Sequence, residues 1–170
     1  MIRKQPEIDI KPTKTDRLFI RIGWVLVLLH FVVLFIFYFD LPNTMPTHFN
    51  LKGEANGFSS KNDLWILPIL SLIIYFGVGK LITNMKPWHY NYPKKVTEQN
   101  APYLYALSRR MLVWLNLCTV LTFLAVSIHS MLIALDVQSI NLSWLILCLL
   151  GFLTLYPFIV IFKMFNTPKT

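Results

Sequence analysis

Histidine and carboxylate side chains are the groups in this sequence that could bind a metal or move a proton near neutral pH. His48 lies in a polar stretch, and histidine is the side chain that most readily changes charge in this pH range. His129 and Asp136 could be further ligands of a metal at His48. Metal sites need several converging ligands, and the spacing of these three residues matches no metal-binding motif. We therefore expect no metal and no other cofactor, and we expect His48 to fix a turn through a hydrogen bond.

Two further polar groups fit structural roles better than catalytic ones. His30 lies within an apolar run, where a hydrogen bond to Asn116 or to a serine would join two helices. Glu98 and His89 could do general acid–base chemistry. No nucleophile motif or phosphate-binding loop accompanies them, so Glu98 is expected to stabilise the positive end of a helix capped by Asn100. Enzyme activity is not expected.

Long apolar runs must position all of these residues. The chain is 55% hydrophobic and 14% charged, outside the usual composition of soluble domains. About 20 residues of helix cross a hydrocarbon core, and a helix satisfies its own backbone hydrogen bonds in lipid. We therefore predict an all-α integral membrane protein with four transmembrane helices. The predicted spans are residues 18–39, 64–83, 111–135 and 142–162.

The basic residues predict the orientation of these spans. Of the sixteen Lys and Arg residues, all but Lys52 and Lys61 fall in or at the edge of the N-terminal arm, in or at the edge of the segment between spans two and three, or at the C-terminal end. Short loops rich in Lys and Arg stay in the cytoplasm, so both termini are predicted to be cytoplasmic. The net charge of +8 is thus assigned to topology and to contact with the lipid bilayer, and no nucleic-acid partner is expected.

The sequence divides into a cytoplasmic arm (1–17), a membrane domain (18–135), and a short outer loop with a fourth span and tail (136–170). The arm is expected to be flexible or to lie on the inner membrane surface. Within the membrane domain, an outer loop (40–63) is dense in turn-forming residues and is predicted to fold, as a short hairpin against the membrane. A cytoplasmic segment (84–110) leads into a third helix from about 101 to 135. The candidate binding residues of the outer loop are Pro46, His48, Phe49, Asn50, Gly53, Gly57 and Lys61. The candidates in the cytoplasmic segment are Asn91, Pro93, Thr97, Glu98, Asn100 and Arg109.

The spacing of these outer-loop residues, following Leu41 and Pro42, resembles the signature of domain of unknown function 1648. That domain forms the N-terminal membrane part of the SdpI-type bacterial immunity proteins. A second family-like stretch runs from 91 to 112, and the whole resemblance covers residues 23–124. The resemblance implies a multi-pass protein of the bacterial plasma membrane, tied to toxin resistance or envelope signalling.

Three functions follow from these observations. The first is a non-enzymatic protein, of the immunity or envelope-signalling type, whose outer loop binds a peptide toxin or another membrane or regulatory protein. The second is a metal-dependent membrane enzyme that uses outer histidines and carboxylates. The third is an accessory subunit of a larger membrane complex.

Overall fold

Four long helices form most of the structure. The computed structural model describes residues 5–50, 52–137 and 140–167; residues 1–4, 51, 138–139 and 168–170, which include Arg3, Lys4 and Lys169, lie outside the described part. All four helices are long and apolar enough to cross a membrane, which fits a multi-pass membrane protein and confirms the predicted helical class. The helices are α1 (Lys14–Phe37), α2 (Ile66–Asn84), α3 (Ala101–Ala134) and α4 (Ser143–Phe165).

The first helix begins earlier than its apolar run. Thr13 caps α1: its hydroxyl accepts a hydrogen bond from the Asp16 backbone N–H, and the Asp16 carboxylate accepts one from the Thr13 N–H. This reciprocal pair satisfies two backbone donors that a helix start leaves free. The helix therefore starts four residues before the predicted span.

The outer loop contains a small antiparallel sheet. Strands β1 (Thr44–Phe49) and β2 (Ala55–Ser60) pair from Thr44 opposite Ser60 to Phe49 opposite Ala55, with an irregular register around His48. A short 3-10 turn at Lys61–Trp65 then leads directly into α2. The fold is mostly helical, and this sheet, which we call the hairpin, is the structure that the turn-forming residues predict.

Helix α3 is the centre of the bundle. It packs against α1, α2 and α4, and it also contacts β1. Half of its most apolar stretch is buried within the protein, whereas α4 packs mainly on α3 and buries only 6% of the corresponding stretch. Helices α2 and α4 both pack on α3 but do not pack closely on each other.

The N-terminal arm is ordered against the end of the bundle where the helix α3 begins. Gln5 Nε2 donates a hydrogen bond to the Tyr90 carbonyl at 2.8 Å, and the Tyr105 hydroxyl donates one to the Pro6 carbonyl at 2.8 Å. Ile8 and Ile10 pack on a buried cluster that includes the last turns of α4. The expectation of a flexible arm is therefore wrong for residues 5–13, whereas contact of the arm with the inner membrane surface stays a prediction. We call this end of the bundle, which holds the arm, residues 85–110 and the end of α4, the basic end.

Candidate functional site

The turn of the hairpin is organised by Asn50. Its Oδ1 accepts hydrogen bonds from the backbone N–H groups of Lys52 and Glu54, at 2.9 and 3.0 Å, and its Nδ2 donates to the Glu54 carboxylate at 2.7 Å. The Gly53 N–H also donates to the Asn50 carbonyl at 2.9 Å. An Asn side chain that bonds the backbone just ahead of it is a common way to hold a tight turn.

Two glycines of the hairpin are required by their surroundings. Gly53 has a φ of +81°, a left-handed conformation that suits glycine, and a Cβ there would lie 1.8 Å from the hydroxyl of Ser143 at the start of α4. Gly57 is paired with His48, and a Cβ at Gly57 would lie 2.9 Å from the His48 Cβ. Gly53 lets the turn pack closely against the start of α4, and Gly57 leaves space for the His48 side chain.

Further contacts fasten the hairpin to the helices. The Ser130 hydroxyl of α3 donates a hydrogen bond to the Pro46 carbonyl, and the Phe49 ring lies 4.8 Å from the His129 ring. Lys61 Nζ donates to the Leu41 carbonyl at 3.2 Å. The same ammonium lies 4.9 Å from the centre of the Tyr38 ring, a cation–π contact. These contacts tie the hairpin to the top of α1 and to α3.

His48 has no comparable internal role. Its imidazole is exposed and makes no hydrogen bond with any residue that the structure describes, so the expectation that it fixes the turn is not met. His48 instead lines a cleft of about 380 Å³ between the hairpin, α2 and α3. Ser59 also lines this cleft, and its buried hydroxyl has no hydrogen-bond partner among the described residues. The cleft wall further includes Phe49, Asp63, Leu67 and Val126.

The proposed metal ligands do not converge. Within residues 5–50, 52–137 and 140–167, no group of three His, Cys, Asp or Glu side chains could hold a metal ion. His129 and Asp136 line a separate cavity of about 280 Å³. The His129 Nε2 lies 3.3 Å from the Ser143 hydroxyl, and the ring is buried under the hairpin. His129 thus packs beneath the hairpin, between Phe49 and Ser143.

His30 connects three helices in the interior. Its Nε2 lies 2.8 Å from the Ser127 hydroxyl of α3, and its Nδ1 lies 3.4 Å from the Ser71 hydroxyl of α2. The imidazole is fully buried. Asn116, the other partner considered, donates to the Tyr75 carbonyl instead. The expected contact between helices is present, with serines as the partners.

The cytoplasmic segment positions its polar residues in two ways. Asn100 stands at the cap position of α3, but its side chain does not bond the helix N–H groups, which corrects the expected cap. Its Oδ1 accepts from the Thr97 N–H at 2.9 Å, and its Nδ2 donates to the Lys95 carbonyl at 3.2 Å, so it holds the preceding turn. Glu98 is exposed beside this turn. Asn91 and Pro93 line a large crevice at the basic end.

Arg109 is the unusual residue of the basic end. Its side chain is only 8% exposed, and its Nη1 is buried without a hydrogen-bond partner in the described part of the chain. Arg110, the next residue, is exposed. Sequence reasoning named Arg109 as a candidate but did not predict its burial, because a one-residue difference on a helix face is not visible in charge patterning.

Sequence reasoning missed the residues of the helices that receive the hairpin. Ser130 and Ser143 were not singled out, although a serine within an apolar run is a signal of a polar contact between elements. The unpartnered Ser59 was also missed, because serine is common in strand-edge positions and carries no pattern of its own.

Comparison with known proteins supports the family resemblance for part of the chain. Residues 25–72 match the family model described as "Domain of unknown function (DUF1648)". This match confirms the resemblance across most of α1, the hairpin and the start of α2. The predicted resemblance at 91–112 lies outside the match and stays a prediction.

One curated relative is similar to this chain over a short segment. A protein of Archaeoglobus fulgidus described as "Uncharacterized protein" is 36% identical over 56 residues, which are 33% of this chain and 31% of the relative. The chain therefore matches about a third of the length of that relative. No solved structure matches the chain. The comparisons define a membrane-type protein that contains a segment similar to domain of unknown function 1648.

Proposed function

We propose that this chain is a non-enzymatic, multi-pass protein of the bacterial plasma membrane whose hairpin end binds a peptide or protein partner in the cleft beside His48. The observation that supports this proposal is the division of roles in the hairpin. Asn50, Gly53 and Gly57 hold its shape, while the cleft contains an exposed imidazole and a buried hydroxyl without partners among the described residues. Buried polar groups are normally hydrogen-bonded, so an unpaired one beside an open cleft marks a site that a ligand could complete.

The size of the cleft limits what it can hold. About 380 Å³ is at the small end of ligand sites, enough for one or two anchoring side chains of a partner. Phe49, Leu67 and Val126 would cover an apolar anchor, and His48 and Ser59 would hydrogen-bond the polar groups beside it. A secreted peptide toxin is the partner class that the SdpI-type resemblance implies.

The binding experiment compares survival and capture for three variants. His48→Ala and Ser59→Ala should reduce survival under a secreted peptide toxin and should reduce capture of the partner by the tagged protein. Asn56→Ala is the matched control, because Asn56 is exposed on the same hairpin but does not line the cleft. Unchanged resistance and capture in both cleft variants, at unchanged expression, would remove the cleft from the function.

The orientation is tested separately. We place the hairpin outside the cell and the basic end in the cytoplasm, because the basic residues cluster at that end. Lys52→Cys should react with impermeant thiol reagents in intact cells, whereas Lys95→Cys should react only after lysis. The reverse pattern would place the cleft in the cytoplasm and overturn the outer-partner proposal.

An accessory subunit is the second candidate. Helix α4 packs mainly on α3 and exposes Trp144, Leu155 and Phe158, a surface that another membrane subunit could cover. A partner that co-purifies equally with the wild-type protein and with His48→Ala would favour this candidate over binding at the cleft.

A further inference from the structure

An apolar crevice of about 570 Å³ lies at the basic end. It lies between the end of α2, the first turns of α3 and the end of α4, because α2 and α4 flank α3 without closing on each other. Its walls are mostly apolar, from Leu81, Met111 and Ile161, and its polar side is formed by Tyr92 and Ser108. In a membrane, this crevice would open at the depth where acyl chains meet headgroups.

A buried positive charge lies behind the wall of this crevice: Arg109 does not itself line it, but its guanidinium is near Tyr90 and Tyr92, which do. No hydrogen bond or ion pair joins Arg109 to any residue in the described ranges, and its Nη1 is inaccessible to solvent. A guanidinium stays charged in proteins, so it cannot avoid the cost of burial by losing a proton. A buried charge without a partner is strongly unfavourable, and a bound anion would remove that cost.

The two phenols near Arg109 do not supply the missing anion. The guanidinium is close enough to Tyr90 and Tyr92 to influence their ionisation electrostatically. Burial nevertheless raises the pKa of both phenols above the ordinary value, so both are neutral near pH 7. Their hydroxyls are also engaged: that of Tyr92 with the Pro87 carbonyl and Ser108, and that of Tyr90 with the carbonyls of Leu81 and Met85.

The surrounding charge favours an anionic ligand. Lys80, Lys86, Arg110 and Lys163 lie in or next to the same end of the bundle, and Lys86 forms a salt bridge with Asp9 at 3.7 Å. Basic pockets between transmembrane helices are suited to the headgroups of anionic lipids. The apolar wall and the adjoining cation together match the two parts of such a lipid.

We propose that the crevice between α2 and α4 binds one anionic phospholipid, with an acyl chain on the apolar wall and the phosphate at Arg109. The ligand completes a site at the basic end, independently of any partner at the hairpin. The bound lipid would also fill the space between α2 and α4, which do not pack closely on each other.

The test measures lipid retention by the purified full-length chain. Native mass spectrometry in detergent, with equal amounts of phosphatidylglycerol and phosphatidylcholine added, should show one retained phosphatidylglycerol in preference to phosphatidylcholine. Arg109→Gln should reduce this preference about tenfold, as expected for loss of a charge-assisted hydrogen bond. Arg110→Gln is the matched control: it removes the same charge one residue away, from an exposed position, and should retain the lipid like the wild type.

Three results would overturn the proposal. One is equal retention of the two lipids by the wild type, which would indicate an apolar surface without headgroup recognition. Another is unchanged preference in Arg109→Gln. The third is displacement of the lipid by inorganic phosphate, which would indicate a site for a free anion.

A second variant covers the case in which Arg109→Gln does not fold. Leu81→Trp fills the crevice from a half-exposed position on α2 and leaves Arg109 in place. It should abolish selective retention while melting like the wild type in zwitterionic detergent. Wild-type retention in Leu81→Trp would overturn the proposal.

Discussion

At the hairpin end, polar side chains make the hydrogen bonds that hold the turn. At the basic end, by contrast, the charged side chain of Arg109 is buried without a hydrogen-bond partner among the described residues. Asn50 makes three side-chain hydrogen bonds in an exposed turn, and Arg109 makes none within the described residues although it is almost fully buried. The two ends therefore differ in what they leave open. The hairpin end leaves a small cleft with partly polar walls, and the basic end leaves a larger apolar crevice beside a cation.

At the hairpin end, the residues that hold the backbone can be distinguished from the residue that is free to contact a partner. At the hairpin end, most of the residues that carry the family resemblance are engaged in contacts that fix the backbone, so substituting them should first change stability. His48 is the exception, and substituting it should change binding alone. The variants below test this separation in order of expected effect on stability.

The largest effect is expected at Gly53. Gly53→Val forces a β-branched residue into a positive φ and against the Ser143 hydroxyl, so it should destabilise the protein by more than about 2 kcal/mol. Thermal unfolding in detergent measures the loss. Gly77→Ala is the control, because no heavy atom lies within 4 Å of a Cβ there, and it should not destabilise the protein. Equal stability of Gly53→Val and the wild type would mean that the turn is not seated on α4.

A smaller loss is expected at Asn50. Asn50→Ala removes three side-chain hydrogen bonds from the turn, but water can replace some of them because the turn is exposed, so the expected loss is about 1–2 kcal/mol. Asn50→Asp keeps the acceptor and loses the donor to Glu54. Because this change sets a second carboxylate against Glu54, the comparison is made with Glu54→Gln present in every variant. There Asn50→Asp should lie between Asn50→Ala and the parent protein in the same unfolding measurement, and a ranking with Asp below Ala would contradict the assigned roles.

The interior histidine should contribute less than the turn. His30→Leu removes the contacts to Ser127 and Ser71 and is expected to cost about 1 kcal/mol, the usual range for hydrogen bonds between membrane helices. Ser127→Ala should lose a part of that amount. A double variant that loses the full sum of both single losses would show that the two residues do not interact.

The smallest effect on stability is expected at His48. Because the imidazole is exposed and has no hydrogen bond in the described part of the chain, His48→Ala should change the free energy of unfolding by less than about 0.5 kcal/mol. The same variant should lose the partner in the capture experiment. A large destabilisation would show that His48 has a structural role and would remove the contrast with Asn50.

The extent of the fold that the sequence predicts can be judged from particular elements. The third helix was expected from about 101 to 135 and runs from Ala101 to Ala134, because a long apolar run behind an interfacial segment is a local property. The hairpin turn follows from Gly53, which has a positive φ, whereas Asn56 and Gly57, the other turn-forming pair of this loop, lie within strand β2. The start of α1 was placed too late, because the cap at Thr13 lies in polar sequence outside the apolar run.

The candidate sites were predictable only in part. The outer-loop residues were identified by their spacing, yet their individual roles depend on partners far away in the chain, such as Ser130 for Pro46 and Ser143 for Gly53. The arm was misjudged for the same reason, since Pro6 is held by Tyr105. The pattern of residue types in one segment does not predict which residues of a distant segment it will contact.

The sequence by itself determined that four apolar helices form, that a turn interrupts them after the first, and that positive charge gathers at one end. These properties depend on local hydrophobicity, turn chemistry and charge, which are set residue by residue. Only the tertiary structure decided that Arg109 is buried while Arg110 is exposed, and that His48 faces a cleft rather than holding the turn. Burial and partnership arise from packing between segments far apart in the chain, and adjacent residues of the same type can therefore end in opposite environments.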